Sequence, residues 1–124
     1  MKNVLVVEDS KAIRSMIRVS LEEMGGFVVA EAGNGFEALK ALPMQHLDLI
    51  ITDINMPDIN GLELIGYVKS NPAYRTIPLI IVSTEKTEED KKRGLALGAV
   101  GYVEKPFRKE DLMSVVMKVL GGKQ

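Results

Sequence analysis

Three unbroken apolar runs, rich in β-branched side chains, restrict the fold more than any other feature of the sequence. They occupy residues 4–7, 49–51 and 78–82. A strand with one face in water alternates apolar and polar residues, whereas a strand covered on both faces reads as a continuous apolar run. We therefore predict strands buried in the middle of a parallel sheet.

Two shorter runs, at residues 27–30 and 100–103, predict a second and a fifth strand. Helix signals fill the segments between the strands. Ser10 is a favourable N-cap, and apolar residues recur after it at helical spacing (Ile13, Met16, Ile17, Leu21, Met24), with Arg14, Arg18 and Glu22 on the opposite face. Asn34 and Asn60 each precede a glutamate by three residues, which is a helix-start arrangement. Pro43 stops the second helix after Leu42.

The last two helices differ in their predicted packing. Residues 87–97 carry many charges and little apolar surface beyond Leu95 and Leu97, so we expect this helix to be the least firmly packed. The final helix has a clear apolar face, made of Leu112, Val115, Val116, Val119 and Leu120. Met113 and Met117 lie beside that face, where they either widen the core contact or offer an adaptable surface to a partner.

Strict alternation of strands and helices predicts an α/β fold. Short connections imply parallel strands joined by right-handed crossovers, with helices on both faces of the sheet. The carboxyl ends of such strands meet at one edge, where α/β proteins bind ligands. Polar residues follow four of the predicted strands at this edge: Glu8 and Asp9, Asp53, Ser83, and Lys105.

Three carboxylates crowded together repel one another, so we expect either a protonated carboxyl group or a bound cation. Oxygen ligands without imidazole or thiolate favour a hard cation, and Mg²⁺ fits best, with Asp9 and Asp53 as direct ligands. A carboxylate beside Mg²⁺ can attack phosphorus to form an acyl phosphate. Lys105 and Ser83 could then stabilise the phosphoryl oxygens.

Composition excludes several classes of protein. The chain of 124 residues has the size of one domain. Sixteen basic and seventeen acidic residues, with no basic block, argue against direct nucleic-acid binding, and no apolar run is long enough for membrane insertion. Because the chain has no cysteine and no apolar leader, a cytoplasmic location is the expectation. His46, the only histidine, stands in a polar linker and is given no role.

The set Glu8-Asp9, Asp53-Ile54-Asn55-Met56-Pro57, Ser83 and Gly-Tyr-Val-Glu-Lys-Pro-Phe at residues 101–107 resembles the receiver domain of two-component response regulators. The resemblance covers the whole chain and is strongest to the single-domain, chemotaxis-type (CheY-like) regulators. It implies a doubly wound, flavodoxin-like fold, with a five-stranded parallel sheet in the order 2-1-3-4-5 flanked by five helices. It also implies one receiver domain over residues 1–124 with no output domain.

The resemblance further implies residue roles. Asp53 would accept a phosphoryl group from a sensor histidine kinase, assisted by Ser83 and Lys105. Asp9, Asp53 and the Asn55 carbonyl would hold Mg²⁺, and Glu8 would act through the water molecules of the metal. Asn55, Thr84 and Glu85 would control access to the phosphoryl group. Ser83 and Tyr102 would form the switch, and a cis bond before Pro106 would aim Lys105 at the acceptor.

The implied protein is a monomeric signalling protein that catalyses only its own phosphorylation and dephosphorylation. Its fourth helix, fifth strand and last helix would contact a downstream protein. Two residues depart from the family pattern: Glu8 replaces the commoner Asp, which is expected to change metal affinity, and Thr84 replaces a smaller residue, which is expected to slow access to Asp53.

Other functions are compatible with parts of this pattern. A phosphorelay intermediate would pass the phosphoryl group to another histidine instead of signalling by conformation. A haloacid-dehalogenase-type phosphohydrolase also uses an Asp nucleophile with Mg²⁺, but it needs a second Asp where this chain has Asn55. A flavin- or nucleotide-binding module needs a glycine-rich phosphate loop, whereas Glu8 and Asp9 place negative charge there.

Overall fold

The computed structural model describes residues 1–84 and 88–121. Within them, strands and α-helices alternate in the order β1 (Lys2–Val7), α1 (Lys11–Met24), β2 (Phe27–Ala32), α2 (Gly35–Ala41), β3 (Leu49–Thr52), α3 (Gly61–Ser70), β4 (Leu79–Ser83), α4 (Glu88–Leu97), β5 (Gly101–Glu104) and α5 (Lys109–Gly121). A short 3-10 turn, Leu42–Met44, follows α2.

All strand pairs are parallel, and the sheet has the order β2-β1-β3-β4-β5. The predicted doubly wound, flavodoxin-like architecture is therefore confirmed. In the register of the central strands, Val4 lies opposite both Val29 of β2 and Leu49 of β3. Strands β2 and β5 are the two outer strands of the sheet.

The core consists of two apolar layers, one on each face of the sheet. Leu5 and Val7 contribute to the layer under α2 and α3, whereas Val4 and Val6 contribute to the layer under α1 and α5. Every residue of β3 and β4 is buried. The continuous apolar runs thus arise because each strand supplies side chains to both layers.

Helix starts agree with the sequence signals. The Ser10 side chain accepts a hydrogen bond from Ile13 N at the start of α1. Asn60 and Glu63 form a complete capping box at the start of α3. At the start of α2, the Asn34 side chain accepts a hydrogen bond from Glu37 N. The end of α2 differs by one residue, because the chain tightens into the 3-10 turn at Leu42 and Pro43 is accommodated in its first positions.

Helix α4 is lightly anchored, as predicted. Gly94 is the only buried residue between Glu88 and Leu97, and residue 87, where the helix was predicted to begin, lies outside the described residues. The two methionines of α5 divide between the two alternatives: Met113 is 9% exposed and belongs to the core, whereas Met117 is 51% exposed. No helix in the described part of the chain is both long and apolar enough to cross a membrane.

Candidate functional site

The predicted convergence of polar residues at one edge of the sheet is observed. Glu8 and Asp9 follow β1, Asp53 follows β3, Ser83 ends β4, and Lys105 follows β5. Four of these residues are buried, namely Glu8, Asp53, Ser83 and Lys105, whereas Asp9 is exposed. The edge is therefore a small acidic site (Glu8, Asp9, Asp53) with a buried lysine beside it.

Lys105 lies between two of the three carboxylates. Its Nζ atom is 2.5 Å from Glu8 Oε1 and 3.1 Å from Asp53 Oδ2. Its backbone N–H donates to Ser83 O over 2.9 Å, and the peptide bond before Pro106 is cis, as predicted. The sequence predicted that the clustered carboxylates need either a proton or a bound cation. In the structure, the ammonium group of Lys105 is a cation that the chain itself supplies.

The carboxylate of Asp53 has a fixed orientation. Its Oδ1 atom accepts hydrogen bonds from the backbone N–H groups of Ile54, over 2.7 Å, and Asn55, over 3.3 Å. Helix α3 packs directly behind it, since a Cβ atom at Gly61 would lie 2.0 Å from the Asp53 carbonyl oxygen. Real Cβ atoms do not approach a carbonyl so closely, so glycine is required for this packing.

Burial shapes the electrostatics of the Glu8–Lys105 pair. Burial raises the pKa of Glu8, and this effect exceeds the lowering by hydrogen bonds from Lys105 and the Ser10 backbone. Burial lowers the pKa of Lys105, but its hydrogen bond to Glu8 and the charge of Asp53 more than offset that effect, so the pKa lies above its usual value. Lys105 is therefore a stable ammonium ion at neutral pH.

The acidic site fits a hard divalent cation. Glu8, Asp9 and Asp53 each offer a carboxylate oxygen, and these atoms lie within 4.8 Å of one another. Within residues 1–84 and 88–121, the Asp9 carboxylate receives no hydrogen bond from the protein. An oxygen-only donor set with a free carboxylate suits Mg²⁺, which keeps several of its water molecules.

The remaining predicted residues lie around the acidic site at different depths. Asn55 and Thr84 are exposed, and Glu85 falls outside the described residues. Tyr102 is half-buried in β5, on the strand beside that of Ser83, and Lys91 of α4 places its Nζ atom 5.7 Å from the centre of the tyrosine ring. This contact between α4 and Tyr102 was not predicted.

His46 lies far from the acidic site. Its side chain is 84% exposed and contacts Asp48 at 3.4 Å, near the amino end of β3. A cavity of about 670 Å³ opens there, lined by residues such as Tyr74 and Ile77. The charged groups that could do chemistry therefore converge at the opposite edge of the sheet from this cavity.

Arg14, predicted to lie opposite the apolar face of α1, is only partly exposed. Its side chain is 17% exposed, and its guanidinium group donates to the Glu8 carbonyl over 2.7 Å and to Glu31 Oε1 over 2.9 Å. A signal was present, since Arg14 lies one turn after Ser10 and helical side chains point back toward the N-terminus. Glu31, its partner in β2, carried no such signal.

Comparison with known proteins finds related sequences and structures along nearly the whole chain. Residues 4–117 match the response regulator receiver domain family. A CheY homologue of Campylobacter jejuni is 37% identical over 118 residues, which cover 94% of this chain and 91% of that protein. The structure of the chemotaxis response regulator CheY4 of Vibrio cholerae superposes with a TM-score of 0.90 at 38% identity, covering 97% of this chain and 99% of the other.

A third solved structure is that of the response regulator Rcp1 in its Mn²⁺-bound form. It has a TM-score of 0.83 and 26% identity, and the match covers 98% of this chain and 94% of that chain.

Proposed function

The chain belongs to the response regulator receiver domain family and is of the chemotaxis-related CheY type, and on that premise we propose that Asp53 is the phosphoryl acceptor. Receiver domains are signalling proteins and not classical enzymes. The observation that carries the proposal is the arrangement at Asp53, whose oriented carboxylate is bonded to a buried ammonium ion and lies close to two further carboxylates.

The proposed reaction is a phosphoryl transfer from the phosphohistidine of a sensor histidine kinase. A carboxylate oxygen of Asp53 forms a bond to phosphorus while the phosphorus–nitrogen bond of the donor breaks, and the electron pair returns to the imidazole ring. Lys105 is positioned to neutralise charge on the phosphoryl oxygens, and the Ser83 hydroxyl donates to them. The chain catalyses only this reaction and the later hydrolysis of its own acyl phosphate.

The cofactor proposed for this transfer is Mg²⁺. Asp9, Asp53 and the Asn55 carbonyl would hold it directly, and Glu8 would act through its water molecules. When bound, the ion neutralises the carboxylates and the incoming phosphoryl oxygens. The all-oxygen donor set supports this assignment, as does the Mn²⁺-bound form of a related response regulator.

The proposed output surface consists of α4, β5 and α5. A groove of about 500 Å³ adjoins β5 and α5, and its lining includes Val100, Tyr102, Val115, Val119, Lys69 and Lys118. Lightly anchored α4 and half-buried Tyr102 can both change position at low cost when Ser83 moves toward a phosphoryl group. We place the downstream protein partner here, with the chain acting as a monomeric receiver domain over residues 1–124.

The test is phosphorylation by acetyl phosphate, a small-molecule donor, with Mg²⁺ present. Intact-mass measurement should show one added phosphoryl group on the wild type and none on Asp53→Asn. Asp48→Asn is the matched control, because Asp48 lies at the opposite end of the strands from Asp53. Its side chain there accepts a hydrogen bond from the Asn3 backbone N–H. Labelling of Asp53→Asn would place the acceptor elsewhere.

The switching part of the proposal has a separate readout. Beryllofluoride with Mg²⁺ mimics the phosphoryl group, and side-chain NMR shifts of Tyr102 and amide shifts of residues 88–97 should change on binding. Shifts confined to the loops around Asp53 would contradict an output switch and would indicate a phosphorelay intermediate instead.

A further inference from the structure

The backbone of Glu8, the residue before Asp9, is held by hydrogen bonds on both sides of its Cα atom. Glu8 N donates to Ala32 O over 3.0 Å, and Glu8 O accepts from Arg14 Nη1 over 2.7 Å. The Glu8 side chain is held as well, by Ser10 N at 3.0 Å and Lys105 Nζ at 2.5 Å. Asp9, by contrast, is exposed, and its carboxylate has no hydrogen-bond donor in the described segments. The place of the Asp9 carboxylate therefore depends on the backbone before it.

Arg14 is itself held in place by β2. Its Nε atom is 2.9 Å from Glu31 Oε1, and the other oxygen of Glu31 accepts from Arg18 Nη1 at 2.6 Å. A Cβ atom at Gly33 would lie 3.4 Å from Arg14 Nη1, so the guanidinium group sits close beneath the backbone of the β2–α2 loop. A planar guanidinium group fixed at one nitrogen presents its other nitrogen in a defined direction.

We propose that Arg14 is a positioning residue for Asp9. The carbonyl of Glu8 and the N–H of Asp9 lie in one rigid peptide plane, so a hydrogen bond that fixes the carbonyl also fixes the direction in which Asp9 leaves it. Arg14 thereby ties the Asp9 carboxylate, through Glu31, to the edge strand of the sheet. This inference rests on the proposed role of the acidic site in holding Mg²⁺.

Arg18 offers a matched control. Both arginines bind Glu31 from α1, and each loses one ion pair with it when replaced by glutamine. Only Arg14 reaches the Glu8 carbonyl. An effect common to both variants reports the link between α1 and β2, whereas an effect of Arg14 alone reports the positioning of Asp9.

The experiment is calorimetric titration of the full chain with Mg²⁺ for the wild type, Arg14→Gln, Arg18→Gln and Arg14→Lys. Arg14→Gln should bind Mg²⁺ about tenfold more weakly, the low end of the effect of removing a group that orients a metal ligand. Arg18→Gln should stay within about twofold of the wild type. Arg14→Lys should recover part of the loss, because it keeps a cationic donor but lacks the two separate nitrogens with which Arg14 bonds Glu31 and the Glu8 carbonyl.

Mg²⁺ affinity of Arg14→Gln within twofold of the wild type, or equal weakening in Arg18→Gln, would overturn the inference. A second measurement does not need the metal. The backbone order parameters of Asp9 and Ser10 should fall in metal-free Arg14→Gln and stay unchanged in Arg18→Gln, and equal order in all variants would also overturn it. If the wild type itself takes up no Mg²⁺, the proposed metal site fails, and the order parameters still decide the role of Arg14.

Discussion

At the scale of single residues, the site depends on one buried cation. Lys105 is 7% exposed, and it is bonded to Glu8 and Asp53, which are 1% and 5% exposed. Buried charges are tolerated when they are paired, and they become costly when a partner is removed. The fold around the acidic site therefore depends on the same lysine that is proposed to assist phosphoryl transfer.

Lys105→Met should lower the free energy of unfolding by about 3 to 5 kcal/mol at neutral pH without Mg²⁺, since it leaves two buried carboxylates unpaired. The pKa of Glu8 is already raised in the folded state by burial. A raised carboxyl pKa favours folding below the unfolded pKa, and this contribution is lost as the pH rises through the folded value. The deficit of Lys105→Met should therefore shrink as the pH falls into the acidic range.

Urea unfolding of the wild type and the variant across this pH range is the measurement. Lys109→Met is the control, because Lys109 pairs with Glu23 at the surface, where both side chains are about half exposed, and loss of such a pair costs at most about 1 kcal/mol. A Lys105→Met deficit as small as that of the control would show that the carboxylates do not need the lysine.

The residues of the site could be predicted to different extents. Asp53, Ser83 and Lys105 were predictable because each directly follows or ends a strand, and parallel strands bring their carboxyl ends together. The contact of Arg14 with the Glu8 carbonyl was missed, because hydrophobic spacing separates only the apolar face of α1 from the rest, although the position of Arg14 one turn after Ser10 offered a signal. An arginine that packs beside the sheet and an arginine in water give the same hydrophobic spacing in the sequence. What holds Arg14 beside the sheet is its ion pair with Glu31 of β2, which the spacing does not show.

At the scale of elements, glycine sets how closely α4 approaches the sheet. Gly94 is the only buried residue that the structure describes in α4, and a Cβ atom there would lie 2.3 Å from Ile81 Cδ1 of β4. Lys91 of the same helix lies over Tyr102. Close packing at Gly94 and a weak cation–π contact at Lys91 thus both hold α4 against the sheet.

Gly94→Ala should destabilise the protein by about 1 to 3 kcal/mol, because the added methyl group overpacks the buried contact with Ile81. Gly66→Ala in α3 is the matched control. A Cβ atom at Gly66 meets nothing within 4 Å, so this variant should gain up to about 1 kcal/mol from helix propensity alone. Chemical denaturation measures both changes. Stabilisation by Gly94→Ala would contradict the close packing of α4 against Ile81.

Element order and type were predictable, whereas several ends were not. The strands follow from apolar runs whose length and composition fit no other element, and the helix starts follow from Ser10, Asn34 and Asn60. Strand β2 was predicted to end at residue 30, but it continues to Ala32 because Glu31 and Ala32 pair with Val6 and Val7 of β1. Pairing with a neighbour, not local composition, decides such ends.

At the scale of the whole molecule, the proposed Mg²⁺ site should couple metal binding to folding. An ion that binds only the folded chain stabilises it by mass action. Mg²⁺ at about 100 times its dissociation constant should add about 2.7 kcal/mol, which for a domain of this size corresponds to a rise in melting temperature of roughly 10 °C. Asp9→Asn should lose most of this rise, since Asp9 is proposed as a direct ligand.

Thermal unfolding followed by circular dichroism, with and without Mg²⁺, measures the effect. Asp58→Asn serves as the control, because Asp58 is an exposed aspartate of the β3–α3 loop and lies outside the group of three carboxylates. A melting temperature that Mg²⁺ leaves unchanged in the wild type would contradict the metal site.

The bond between Glu8 and Lys105 joins residues 97 positions apart in the sequence, and it has a consequence for protein synthesis. A chain emerging from the ribosome releases Glu8 early and Asp53 near the middle, but Lys105 only after almost every other element has appeared. Glu8 and Asp53 of a growing chain therefore have no lysine partner until the fifth strand is complete. A truncated product that ends before that strand cannot assemble this site, because it lacks the lysine that pairs with Glu8 and Asp53.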